Sequence, residues 1–217
     1  MIQRFKHIEG VYIEKIEGQD RLAFSLSDTT DFYDLIEWAE QGGYQGSVIS
    51  FYDFSNGNVY TPFTKQKNVV YSKPRYLNGF YYFLQGNYDA QKIVLYRYFP
   101  EDLLEAVTEL GLEEVNLYNL NIIGTDIHII SQDDTFQCYY PEKFSFPLGQ
   151  HESVVLIEDG KVYCEVWIEE GWDDEKHCAT EHYKYYDKIV IRDYHGTILS
   201  EEVGSLCQGT DGVWWIS

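Results

Sequence analysis

Ser-Val-Ile-Ser-Phe-Tyr-Asp-Phe-Ser-Asn-Gly-Asn-Val-Tyr-Thr-Pro-Phe, residues 47–63, reads as a β-hairpin. Apolar and polar side chains alternate from Ser47 to Phe54 and again from Asn58 to Phe63, the period-two pattern of strands with one face buried. Between them stands Asn56-Gly57, a strong hairpin signal because both residues tolerate positive φ.

The same grammar extends in both directions. Upstream, Val11 to Ile16 and Arg21 to Leu26 alternate around Glu17-Gly18-Gln19-Asp20. Downstream come Val69 to Tyr76, Phe80 to Gln85 and Lys92 to Phe99, then Leu117 to Ile123, Ile127 to Ser131, Thr135 to Tyr140 and Phe144 to Leu148. The last third adds Ser153 to Glu158, Lys161 to Glu169, an acidic loop, Lys184 to Asp193, Thr197 to Val203 and Val213 to Ser217. Asn78-Gly79, Asp159-Gly160 and His195-Gly196 punctuate these runs. Composition agrees with a β protein: 20 Tyr, 12 Phe and 5 Trp supply strand-forming rings, and 17 Gly supply turns.

Two stretches interrupt the alternation. Thr29 to Gln41 places Phe32, Leu35, Ile36 and Ala39 on one helical face, with Asp28 or Thr30 as N-cap and Gly42-Gly43 as stop, and predicts one inserted helix near 29–41. Pro100 to Leu110 scans as helix with Pro100 in its first turn, but Leu104, Ala106, Thr108 and Leu110 alternate equally well. Both assignments stay open there.

Grouped in fours, the strands make modules at about 11–63, 66–110, 115–149 and 152–204, near the period at which four-stranded sheets repeat radially. The recurrence of hydrophobic strand, Asn/Asp-Gly turn, aromatic strand and polar turn resembles β-propeller repeat proteins in general, an architecture and not a named family. That resemblance implies a single all-β, propeller-like domain over 1–217, a ring of about five blades or alternatively four; a β-sandwich built from the same hairpins is the competing arrangement. Ser205 to Cys207 and Val213 to Ser217 would pair with Ile2 to Ile8 to close the ring, burying Trp214 and Trp215 and removing exposed sheet edges.

Charge narrows the function classes. Sixteen Lys and Arg against 36 Asp and Glu leave a net charge of −20, which repels nucleic-acid phosphates and anionic membrane surfaces. The N-terminal residues lack a signal-peptide core and no window nears the roughly 18 apolar residues of a membrane span, so a cytoplasmic protein is expected. Cys138, Cys164, Cys178 and Cys207 are too scattered for a disulfide framework and read as reduced, small core hydrophobes.

No catalytic residue is assigned. There is no G-x-S-x-G elbow and no phosphate-cradling glycine loop, and His7 and His128 stand alone on strand-like runs. No metal or other cofactor is expected: the acids around Gly171 lack calcium-loop order, and His177, Cys178 and His182 offer zinc donors without a second paired motif. Asp53 and Glu165 are the buried-looking acids from which a glycosidase pair would be drawn. The densest candidate for binding is Trp167, Glu169, Glu170, Trp172, Asp173, Asp174 and Glu175, where acids set a local negative potential beside rings able to anchor a partner. The expectation is a non-catalytic binding module for a basic protein. The alternative is a carbohydrate-binding protein or a glycoside-active enzyme using a carboxylate pair.

Overall fold

The computed structural model describes residues 2–209 and 211–217, an all-β chain with one α-helix. Its strands form consecutive antiparallel sheets. The first holds β1 (Glu14–Lys15), β2 (Leu22–Leu26), β3 (Ile49–Asp53) and β4 (Val59–Tyr60), with α1 (Phe32–Glu40) inserted between β2 and β3. The second holds β5 (Val69–Tyr71), β6 (Arg75–Leu77), β7 (Phe80–Asn87), β8 (Lys92–Phe99) and β9 (Leu103–Gly111). The third is β10 (Asn121–Ile123), β11 (His128–Gln132), β12 (Thr135–Tyr140) and β13 (Phe144–Pro147). The fourth is β14 (Glu152–Glu158), β15 (Lys161–Asp173), β16 (Cys178–Arg192) and β17 (Ile198–Val203), followed by the two-stranded β18 (Leu206–Gln208) and β19 (Trp214–Ile216). Each of the four strand groups read from the sequence is therefore one sheet.

The 47–63 hairpin forms, pairing Phe51 with Tyr60 and Tyr52 with Val59, but not around a two-residue turn. Asp53 N–H donates to Asn58 O, so four residues make the loop, and Gly57 takes positive φ while Asn56 does not. The cause is the Asp53 carboxylate, which accepts from the Ser55 N–H, the Ser55 hydroxyl and the Asn56 amide and winds the loop around itself. At Asn78-Gly79 and Asp159-Gly160 both residues do adopt positive φ, as two-residue turns require.

Other differences have local causes. The run Val69 to Tyr76 splits into β5 and β6 at Ser72-Lys73-Pro74, because Pro74 has no N–H for the ladder and the Ser72 hydroxyl accepts from Leu84 N–H instead. The ambiguous stretch after Pro100 is strand β9, paired along β8 from Lys92↔Gly111 to Phe99↔Leu103. Helix α1 begins at Phe32, capped by Asp31, whose side chain accepts from Asp34 N–H. Asp28 is occupied elsewhere, accepting from Thr30 N–H and the Tyr44 hydroxyl. Residues 2–8 form no strand; Lys6 N–H bonds Gly57 O and Phe5 packs against Tyr52 and Phe54. Trp215 is 61% exposed, so β19 does not bury both of its Trp rings.

The described chain divides into two compact units, residues 1–122 with 208–213, and residues 123–207 with 214–217. In the first unit, two sheets share a core in which Phe51 meets Tyr81, Phe83 and Tyr98 at ring-centroid distances of 5.8, 5.9 and 4.9 Å. Many of the aromatic residues seen in the sequence are thus spent filling space between sheets. The second unit's core joins Ile130, Phe136 and Phe146 to Val154, Ile157, Val162, Cys164 and Val190. Each unit also holds a buried carboxylate gripped by arginine. Arg21 donates twice to the Asp53 carboxylate, and Arg192 Nε and Nη2 fork onto the two oxygens of Glu152 at 2.8 and 2.9 Å.

Candidate functional site

The stretch expected to be an acidic loop is a hairpin. β14 pairs with β15 only as far as Glu152↔Val166, and β17 pairs with β16 only from Lys188↔Val203 onward. From Ile168 to Asp173 and from Cys178 to Tyr186 the two strands pair with each other alone, forming a two-stranded arm. Six extended residues span about 20 Å. No residue between 168 and 186 is buried. The arm carries Glu169, Glu170, Asp173, Asp174, Glu175 and Glu181 against Lys176 and Lys184, a formal charge of −4.

Alternation gives the arm two faces. On one, Ile168 lies opposite Tyr186 and Glu170 opposite Lys184. Glu170 binds the Lys184 ammonium at 2.9 Å and accepts from the Tyr186 hydroxyl at 2.8 Å, while Lys184 Nζ lies 5.4 Å from the Tyr186 ring centroid. The hydrogen bond from Lys184 and then that from Tyr186 hold the Glu170 carboxyl below its ordinary range. This face is satisfied within itself.

The other face carries Glu169, which lies opposite Tyr185 and accepts from the Tyr183 hydroxyl at 2.7 Å. Strict alternation would put Trp172 with Glu170, but the register shifts between them: Glu170 pairs with Lys184 and Trp172 with Ala179, so that Gly171 alone stands against the four residues 180–183. Gly171 has φ +77, and a Cβ there would fall 2.6 Å from the His182 carbonyl oxygen. The bulge rotates Trp172 onto the Glu169 face, where its ring lies 6.0 Å from Tyr183, itself 6.3 Å from Tyr185. The result is a row of three rings beside one carboxylate, Trp172 and Tyr185 exposed and Tyr183 half-buried between them.

The remaining site residues close the arm's two ends. At the tip, Asp173 accepts from Glu175 N–H and Lys176 N–H and pairs with the Lys176 ammonium at 3.0 Å, fixing the turn that displays Asp174 and Glu175. At the base, Trp167 N–H donates to His151 O, and its ring packs edge-on against His151. The seven residues expected to bind therefore lie along one hairpin. Tyr183 and Tyr185 were outside that set; the run Tyr183-Lys184-Tyr185-Tyr186 signals them, but only the register reveals what they face.

Other chemistry candidates resolve into structural parts. Asp53 is fully buried; burial would raise its carboxyl, but hydrogen bonds from Ser55 and Arg21 outweigh this and hold it below the ordinary range. A carboxylate so held is a poor proton donor. Glu165 accepts from Leu206 N–H and ties β15 to β18. Among the described residues no three His, Cys, Asp or Glu groups converge as metal ligands; His177 and Cys178 are at the arm's tip, and His182 lies beside Glu181. Cys138 and Cys164 are buried, with burial pushing both thiols up to about 12, whereas Cys178 and Cys207 are exposed and not core residues. An open cleft of about 480 Å³ in the first unit is lined by Tyr60, Tyr98, Glu101, Asp102 and Leu104 among others. No helix among the described residues is long and apolar enough to cross a membrane.

Comparison with family models, with curated proteins and with solved structures finds no match.

Proposed function

We propose that the chain is a non-catalytic interaction module whose arm captures a basic protein partner, with Trp167, Glu169, Glu170, Trp172, Asp173, Asp174 and Glu175 as its binding residues. The observation that carries this reading is the arm itself. It is a −4 hairpin with neither face covered, on a chain of net charge −20. A two-stranded ribbon that buries no core adds little to folding, so its sequence answers to another demand. Long-range attraction steers a cationic partner to the arm, and the rings then supply contact area.

The same reading takes 1–217 as one propeller-like domain in the cytoplasm. Four consecutive antiparallel sheets would be its blades and β18–β19 part of a fifth; the succession of sheets in chain order supports this. A second reading, a carbohydrate-binding protein or glycoside-active enzyme, draws on the open cleft where Tyr60 and Tyr98 lie beside Glu101 and Asp102.

The test is the association rate of a fluorescent oligo-lysine peptide. It should fall steeply between about 20 and 200 mM salt, as exposed charges are screened over a Debye length of about 8 Å near physiological ionic strength. Joint substitution Asp174→Asn, Glu175→Gln and Glu181→Gln should slow association about fivefold at low salt, with the melting temperature unchanged. Equal rates for the variant and the parent protein would refute the arm as the docking surface. Saturable binding of neutral oligosaccharides, lost on Tyr60→Ala, would favour the cleft.

A further inference from the structure

The two faces of the arm are built from the same parts, with one difference. On the Glu170 face a carboxylate, a tyrosine ring and a cation meet within the chain: Glu170, Tyr186 and Lys184. On the Glu169 face there are a carboxylate and three rings, Trp172, Tyr183 and Tyr185, and among the described residues no cation lies over any of the three. The cations that do stack on rings elsewhere are Arg21, Arg97 and Arg192, over Phe99, Phe80 and Phe146. This protein repeatedly places arginine against a ring and a carboxylate, but on the Glu169 face it supplies only the ring and the carboxylate.

We infer that the Glu169 face is an arginine-reading surface, and that the partner presents arginines at alternate positions of an extended segment. The inference rests on the reading of the arm as the surface for a basic partner, and it adds which cation and in what spacing. Geometry sets the spacing. Ring centroids step by 6.0 Å from Trp172 to Tyr183 and 6.3 Å from Tyr183 to Tyr185. Same-side residues of an extended chain are separated by about 6.4–6.8 Å, so an Arg-x-Arg-x-Arg strand lays successive side chains along the row.

Chemistry sets the preference for arginine. A guanidinium is planar and weakly hydrated, so it can lie flat on a ring while its in-plane N–H groups reach a carboxylate. Tyr183 engages Glu169 through Oε1 and holds the carboxylate against the ring row, with Oε2 left to accept from a guanidinium. A lysine ammonium is attracted by the same potential but cannot stack and fork at once. A second copy of this chain is a poor occupant, since two arms of charge −4 repel.

The experiment compares two peptides of equal charge, Arg-Gly-Arg-Gly-Arg and Lys-Gly-Lys-Gly-Lys, by calorimetric titration at low salt. The arginine peptide should bind about tenfold more tightly. Trp172→Thr and Tyr185→Thr should each weaken the arginine peptide more than the lysine peptide and bring that ratio below about threefold. Tyr185→Phe keeps the ring and should keep the ratio, which separates lost stacking from a misfolded arm. Tyr186→Phe, on the opposite face, should change nothing. Glu169→Gln should weaken the arginine peptide about fivefold.

Equal affinity for the two peptides, with both weakened by the Asp174, Glu175 and Glu181 substitutions, would overturn the arginine inference and leave the acidic arm standing. An arginine preference that survives both Trp172→Thr and Tyr185→Thr would also overturn it. Binding of neither peptide would overturn the arm reading and this inference together.

Discussion

From Val162 to Val166, strand β15 has β14 on one side and β16 on the other, and Val162 and Cys164 are fully buried. From Ile168 to Asp173 the same strand has β16 alone, and none of its residues is buried. The switch comes at Glu152, the first residue of β14, beyond which β15 has no partner on that side, and the residues change with it, from Val-Tyr-Cys-Glu-Val to Ile-Glu-Glu-Gly-Trp-Asp. The inner half is held by a core. The outer half is held by its own cross-strand contacts: Glu170 with Lys184 and Tyr186, Glu169 with Tyr183, Thr180 with Gly171, and the Asp173 turn. A strand pair can thus be scaffold over one half and display surface over the other, and the outer half contributes no buried residue to the core.

The sharpest way to break this comparison is to remove a carboxylate–cation contact from each half. Glu152, only 2% exposed at its side chain, receives the Arg192 fork and the Gly149 N–H. Glu152→Ala leaves the guanidinium without its counter-charge and should lower unfolding free energy by about 3–5 kcal/mol, measured by urea denaturation. In the arm, Lys184→Ala removes the exposed partner of Glu170 and should leave the urea midpoint where it was. Comparable losses from both would mean that the arm is part of the folding unit.

Acid sharpens the same contrast. Burial would raise Asp53 and Glu152, but hydrogen bonds from Ser55 and Arg21 to the first, and from Arg192 to the second, hold both below the ordinary carboxylate range. Groups depressed in the folded state contribute stability that is complete above the unfolded pKa, about 4, and is lost as pH falls through the folded values. The melting temperature should therefore be flat from neutrality to about pH 5 and fall below pH 4. In Glu152→Gln the acid fall should be shallower. An unchanged acid limb would show that the fork is not a source of pH-dependent stability.

The hairpin also carries its own reporters. Cys164 sits in the buried half with its thiol pushed up to about 12 by burial, and Cys178 sits exposed beside the tip. A thiol reagent at pH 8 should label Cys178 and Cys207 within minutes, and Cys138 and Cys164 only after denaturant is added. Rapid labelling of all four in the native protein would contradict the burial assigned to the inner half.

How much of this was legible in the sequence follows from range. Alternation and turn residues are local, so the strands, their grouping into sheets and the helix near 29–41 could be read from one segment at a time. The 47–63 hairpin was readable, but its loop was not, since it depends on which donors the Asp53 side chain gathers. In sequence the arm has the look of a loop, because charged residues at Glu169, Glu170 and Asp173 weaken an apolar-polar pattern that assumes one buried face. With neither face buried, nothing forces alternation, and strand identity comes instead from the long cross-strand register with residues 178–186. The acidic and Trp positions were visible as composition; their sorting onto two faces was not, because it turns on the bulge at Gly171.

The most direct test of the account removes the arm. Trp167 and Asp187 are direct cross-strand partners, so residues 168–186 can be replaced by a two-residue Asn-Gly turn. One calorimetric comparison of this variant with the parent protein, by thermal scan and by titration with Arg-Gly-Arg-Gly-Arg, decides the matter. The account predicts a melting temperature within about 4 °C of the parent, corresponding to roughly 1 kcal/mol for a chain of this size, together with loss of peptide binding. A variant that fails to fold, or one that folds and still binds the peptide, would contradict it.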